Sequence, residues 1–200
     1  MTLHTLKPQF QATLRPFARS LAGFGVTANQ VTIAATLVSI GVAVLVAAML
    51  PDPRWFLLIP MWMLARMAFN TIDGMIAREF DGKSRLGVYL NELSDVASDT
   101  ALYAPFALLP PFSPIWIGIV TLLALLTEFA GALGPLIGAT RRFDGPMGKS
   151  DRAFVFSVLG LWAGLGPPLP EWAALAMPGM ALAMVLTILN RVRSGLGEVD

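Results

Sequence analysis

Long apolar runs broken by proline-rich turns dominate this chain. Val31–Leu50, Ile115–Ile137 and Trp172–Val192 are nearly uninterrupted apolar stretches. Each reaches the roughly 20 residues that a helix needs to cross a hydrocarbon core of about 30 Å. Trp55–Ile76 is long enough too, provided that Arg66, Asn70 and Asp73 face protein or water. Asn91–Leu109, which carries acids, and Arg152–Gly166, which is short, bring the expected spans to about six. Pro51-Asp52-Pro53, Pro110–Pro114 and Pro167–Pro170 mark tight turns between them, because proline cannot continue a helix. Ahead of the spans, Leu6, Phe10, Leu14, Phe17 and Leu21 recur every three or four residues, with Lys7, Arg15 and Arg19 elsewhere around the helix. That pattern predicts an amphipathic helix lying on the membrane surface. The expected fold is all-α: a polytopic membrane protein of about six transmembrane helices, a single domain over residues 1–200, with residues 1–25 as the surface helix.

Composition agrees with the pattern. Of 200 residues, 56% are hydrophobic and 14% charged, against about 25% charged in soluble domains. There is no cysteine, which excludes disulfides, thiolate metal sites and cysteine nucleophiles. The single histidine, His4, argues against histidine catalysis and histidine-bound zinc. Residues 1–25 lack the continuous apolar core and small-residue cleavage site of a signal peptide.

The charges fall on one side. With six spans, the connections Pro51–Arg54, Pro110–Pro114 and Gly166–Glu171 share a face and hold one basic residue, Arg54. The opposite face receives Lys7, Arg15, Arg19, Arg78, Lys83, Arg85, Arg141, Arg142, Lys149, Arg152, Arg191 and Arg193. The positive-inside rule then puts both termini in the cytoplasm. Trp55, Trp116 and Trp172 fall at the opposite boundary, where indole rings favour the headgroup layer.

Chemistry concentrates between residues 70 and 99. Carboxylates in a span cost about 2.5–3.5 kcal/mol each even on the lenient insertion scale, so they normally mark a site. Arg66, Asn70, Asp73 and Ala77 line one helix face, and Gly87, Asn91, Asp95 and Asp99 recur every four residues on the next. A short hairpin would turn these stripes toward each other. Hard oxygen ligands of this kind suit Mg²⁺, Mn²⁺ or Ca²⁺ rather than zinc. The structural alternative is that the acids pair with Arg66, Arg78 or Lys83 and hold helices together. Arg66 and Glu128, both deep in spans, are expected to form a buried pair, the alternative being that Arg66 neutralises the acidic cluster.

The spacing DG-x2-AR-x8-G-x3-N-x3-D, formed by Asp73-Gly74, Ala77-Arg78, Gly87, Asn91 and Asp95, resembles the signature of the CDP-alcohol phosphotransferases (CDP-alcohol phosphatidyltransferases). The segment Gly25–Thr32 resembles the family's approach to its first span. Two positions depart from the signature: Asn70 and Asn91 stand where the family has aspartates, each removing one negative charge. Family members typically hold two metal ions with four aspartates. Here the resemblance implies one or two Mg²⁺ or Mn²⁺ ions on Asn70, Asp73, Asn91 and Asp95. It implies a nucleotide pocket of Asp73, Gly74, Ala77, Arg78 and Gly87, joined by Asn29 and Thr32, although Thr27 or Asn29 could equally cap the first span. Asp95 is the expected general base, with Asp99 as second candidate. Arg141, Lys149 and Arg152 would hold a phosphorylated acceptor, or simply anchor the loop on the cytoplasmic side.

The implied reaction moves a phosphatidyl or similar group from a CDP-linked lipid donor to an alcohol such as glycerol 3-phosphate, releasing CMP. It would take place on the cytoplasmic side of the inner membrane, in the bilayer, in a homodimer and with no nucleic-acid partner. The rival readings are a catalytically inactive family member acting as a membrane partner and a small cation transporter. Val31–Leu50, which carries almost no polar residues, disfavours the transporter.

Overall fold

A computed structural model describes residues 3–80 and 84–199, with side chains described from residue 10 onward. His4, Lys7 and Lys83 therefore lie outside the described side chains. Among the described residues the chain is all-helical: α1 Leu3–Gly23, α2 Ala28–Ala48, α3 Leu58–Glu79, α4 Arg85–Tyr103, α5 Pro114–Leu133, α6 Lys149–Leu165 and α7 Ala176–Val199. Short 3-10 turns at Pro53–Leu57, Ala104–Leu108, Gly134–Ile137 and Glu171–Leu175 flank the longer helices, and the first three contain a proline.

Four helical stretches are long and apolar enough to cross a membrane: Ala28–Ala48, Pro53–Glu79, Pro114–Ile137 and Glu171–Val199. The other two expected spans are helices but do not meet that measure. In α4, Glu92, Asp95 and Asp99 lower the hydropathy; α6 has only 17 residues and opens on Lys149, Asp151 and Arg152. The four long stretches keep apolar side chains outside, such as Leu37, Val44, Ile115, Leu122 and Leu182, each more than half exposed. Such a surface is stable only in lipid, where helices satisfy their own backbone groups. The chain is an integral membrane protein.

Contacts divide the chain into two compact units, Met1–Gly41 with Met61–Ser98 and Val42–Pro60 with Asp99–Asp200. The first is built on a small core of Ala18, Ala28, Val31, Ile72, Met75 and Ile76, with Leu14, Leu21, Val26, Phe69 and Ala77 packed around it. One face of α1 is thus spent on protein contact, while Phe10 and Phe17 stay exposed. Arg15 reaches Glu79 at 3.2 Å. The start of α2 is fixed by a reciprocal cap. Thr27 Oγ1 accepts from the Gln30 N–H at 3.3 Å, and Gln30 Oε1 accepts from the Thr27 N–H at 2.9 Å. Thr27, not Asn29, is the cap. In the same unit the Trp62 indole donates to Ser39 at 2.8 Å.

The second unit packs aromatic rings in its core. Tyr103 stacks on Phe156 with centroids 3.9 Å apart, and Phe106 meets Phe56, Phe112 and Phe156 edge-on. The segment between α5 and α6 folds back tightly over α5 and α7. The Arg142 N–H donates to the Gly131 carbonyl at 3.2 Å, and the Met147 N–H to Thr187 Oγ1 at 2.9 Å. Arg142 also binds Asp144 and Glu198, and Glu198 accepts from the Thr140 hydroxyl at 2.9 Å. Arg142's hydrogen bonds hold the Asp144 carboxyl below the usual carboxylate range.

Two glycines permit this closure. A Cβ on Gly131 would lie 2.5 Å from the Arg142 carbonyl oxygen; one on Gly145 (φ +127°) would lie 2.6 Å from the Thr187 Cα. Gly145→Ala would therefore meet both backbone strain and a backbone clash, and is expected to cost about 1–3 kcal/mol. Its thermal unfolding in detergent should come at a lower temperature than wild type. Gly118→Ala, which meets nothing within 4 Å, should unfold no earlier than wild type.

Candidate active site

The first unit contains a cleft of about 410 Å³. From α2 come Ala28, Asn29 and Thr32; from α3 come Asn70, Asp73, Gly74, Ala77 and Arg78; Ser84 precedes α4, which adds Gly87, Val88, Asn91 and Glu92. Helical spacing explains the grouping, since residues three and four apart share a face. The Thr27–Gln30 cap leaves Asn29 pointing at the cleft instead of closing the helix end. Ser84 caps α4 by accepting from the Gly87 N–H at 2.9 Å. A Cβ on Gly87 would fall 2.9 Å from Asn29 Oδ1, so glycine keeps the recess between α2 and α4 open. At Gly74 the nearest atom is Arg78 Nη1, which drapes its guanidinium over the missing side chain.

Asp73 is buried, and its Oδ2 lies 2.7 Å from the Thr32 hydroxyl. Asp95 does not line the cleft. Its Oδ1 accepts from Arg66 Nη2 at 3.0 Å and from Asn70 Nδ2 at 3.1 Å, and its backbone carbonyl accepts from the same Arg66 nitrogen at 3.1 Å. Because the Asn70 amide nitrogen faces a carboxylate, its carbonyl oxygen is turned away from Asp95. Among the oxygen donors on the cleft, the carboxylates of Asp73 and Glu92 and the amides of Asn70 and Asn91 fit Mg²⁺ or Mn²⁺. They are few: among the described residues no three of His, Cys, Asp and Glu gather as a metal cluster.

Asp99 belongs to the second unit, where Arg152 Nη2 lies 3.8 Å from its Oδ2. Arg152 has no exposed surface, and it also donates to Thr127 Oγ1 at 2.8 Å and Glu128 Oε1 at 2.9 Å. Glu128 further attracts Arg141 at 3.7 Å and Arg191 at 3.7 Å. Arg191 donates to the Thr127 carbonyl. In place of the pair expected between Arg66 and Glu128, Arg66 binds Asp95 and Glu128 gathers three arginines. Burial, then the neighbouring Arg191 charge, pushes the Arg141 guanidinium below its ordinary value, although arginine stays cationic there. Three guanidinium groups around two carboxylates leave one positive charge over.

The sequence singled out Arg141 and Arg152 but not Arg191, which counted only among the basic residues of the cytoplasmic side. The available signal was Glu128 itself, an acid in an apolar run that required cationic partners. Ser84, Val88 and Glu92 were likewise missed at the cleft, where no motif position marks them. Lys149 opens α6 and is half-buried.

Comparison with known proteins shows the family. The family model for CDP-alcohol phosphatidyltransferase matches residues 25–189. The chain is 41% identical over 198 residues to the inner membrane protein YnbA of Escherichia coli K12, covering 98% of this chain and 97% of that protein. It is 27% identical over 200 residues to phosphatidylinositol phosphate synthase of Corynebacterium glutamicum, covering 95% and 86%. Its fold matches crystal structures of Mycobacterium tuberculosis phosphatidylinositol phosphate synthase at 23% identity. The complex with manganese and citrate gives a TM-score of 0.76 over 94% of this chain and 92% of that one. The form with CDP-DAG bound gives 0.76 over 94% and 96%. The family match runs from Gly25 to Leu189 and takes in every residue of the cleft. The chain belongs to the CDP-alcohol phosphatidyltransferase family.

Proposed function

We propose that this protein is a metal-dependent transferase of phospholipid synthesis. It moves a phosphatidyl or similar substituted phosphate from a CDP-linked donor such as CDP-diacylglycerol to an alcohol and releases CMP. The observation that carries this reading is the cleft itself. Asn29, Thr32, Asp73, Gly74, Ala77, Arg78 and Gly87 all line it, at the positions of the family signature and its approach segment. Gly74 and Gly87 leave room for a nucleotide against the backbone, and the Arg78 guanidinium meets phosphate with a planar fork. Asp73, with Asn70 and Asn91, is the ligand set for Mg²⁺ or Mn²⁺. When bound, the ion supplies charge neutralisation to a pyrophosphate and to departing CMP. Asp95, oriented by Arg66 and Asn70, is the general base toward the acceptor hydroxyl. Asp99 is the weaker candidate because Arg152 engages it. Basic residues on the connections support cytoplasmic placement of both termini and of the cleft in the inner membrane.

For the acceptor, the surplus positive charge around Glu128 suits a phosphomonoester, held by Arg141, Arg152 and Lys149, with Arg191 added to the set. Glycerol 3-phosphate and an inositol phosphate share that chemistry, and the latter agrees with the names of the corynebacterial and mycobacterial relatives. A second reading, an inactive member acting as a membrane partner, is favoured by Asn70, Asn91 and the hold of Arg66 on Asp95.

Purified protein given CDP-diacylglycerol, Mn²⁺ and a panel of phosphorylated and free alcohols should release CMP. Absence of release with every acceptor would establish the inactive reading. Asp73→Ala should lower release by at least about 100-fold, since loss of even an outer-shell partner of a metal costs about 10–100-fold. A chelator should abolish release and added Mn²⁺ restore it. Lys149→Ala and Arg141→Ala should raise the KM for a phosphorylated acceptor about 10–100-fold, the worth of one charge-assisted hydrogen bond. The KM for the CDP-linked donor should stay unchanged; a rise in the donor KM instead would remove these residues from the acceptor site.

A further inference from the structure

Arg66 lies within the third helix, 6% exposed, in the middle of a stretch apolar enough to span a membrane. A cation there needs an anionic partner, and it has Asp95 twice, through the carboxylate and through the backbone carbonyl. Asn70 adds a second donor to the same carboxylate oxygen. Asp95 Oδ1 is thereby held by two protein donors, and Asp95 does not line the cleft, whereas Asp73, Asn70 and Asn91 do.

Charge counting gives this arrangement a meaning. Of the four signature positions 70, 73, 91 and 95, two are acids and two are neutral amides. Of the two acids at these positions, Asp95 is engaged by Arg66, and Asp73 is the one that lines the cleft. One divalent ion on Asp73 gains its attraction and two amide oxygens. A second ion beside Asp95 would meet a fixed guanidinium already in hydrogen-bond contact with the carboxylate it needs.

We propose that the Arg66 guanidinium is a built-in cation that does at Asp95 what a second divalent ion would otherwise do. The cleft then takes a single divalent ion, on Asp73 with the amide oxygens of Asn70 and Asn91. Arg66 is a positioning residue: it fixes the direction of the Asp95 carboxylate without depending on metal supply. This inference rests on the reading of the cleft as a divalent-metal site of the transferase.

The test is a count of Mn²⁺ ions on the full chain in detergent, by electron paramagnetic resonance. Wild type is expected to bind one Mn²⁺ per chain and to show the spectrum of an isolated ion. The double variant Asn70→Asp, Asn91→Asp, with Arg66 in place, should also bind one. Adding Arg66→Met to that pair should raise the count to two, with the spin-coupled spectrum of neighbouring ions. Two ions or none in wild type, two in the double variant, or one in a folded triple variant would each overturn the inference. Two ions in either of the first two proteins overturn the inference even where the triple variant fails to fold. Glu92, the other carboxylate on the cleft, is covered by the same count, because a second ion on it would appear in wild type. The two readings fail separately. Loss of the transferase reading shows as no CMP release with one Mn²⁺ still bound. Loss of this inference shows as two Mn²⁺ with CMP release intact.

Discussion

Charged groups in a low-dielectric interior must be paired, and both units of this protein are organised by that demand. In the first, Arg66 and Asn70 converge on Asp95 while the Thr32 hydroxyl meets Asp73. In the second, Arg152 has no exposed surface and is held by Glu128, Asp99 and Thr127. Removing one partner of such a set strands the other, typically at a cost of about 3–5 kcal/mol. These contacts therefore fix helix rotation more firmly than apolar packing alone, because a helix in lipid gains little from which apolar face it turns inward.

The same demand explains which parts of the molecule were readable from sequence. The four strongest apolar runs are long helices because hydropathy and length alone decide a span. The cleft was readable because Asn70, Asp73, Gly74, Ala77, Arg78, Gly87 and Asn91 obey helical spacing on two consecutive helices. The partner of Arg66 was not. Periodicity puts Arg66 on a face with Asn70 and Asp73 but does not say which acid of the next helix comes opposite. That depends on the relative rise of α3 and α4, which periodicity within one helix does not carry. Arg191 escaped for a related reason. A basic residue near a helix end satisfies the positive-inside pattern whether it contacts water or an acid on a distant helix, as Arg191 does with Glu128.

Local signals were ambiguous where two residues suited one task. Thr27 and Asn29 are both good helix caps, and only Gln30 separates them, since a glutamine three residues after threonine completes a reciprocal cap. The outcome matters to the cleft: with Thr27 ending the helix, Asn29 is available at the recess beside Gly87. A choice made at the start of α2 thus sets the polarity of the cleft wall beside Gly87.

Glu198, in the last turn of α7, grips Thr140 and Arg142 on the far side of the segment that carries Arg141. The chain's final helical turn is therefore a mooring for a loop nearly sixty residues upstream. A truncation that reached Glu198 would slacken the polypeptide around the arginine cluster without touching any side chain in it, so the boundary chosen for a shortened protein is a choice about that cluster as well.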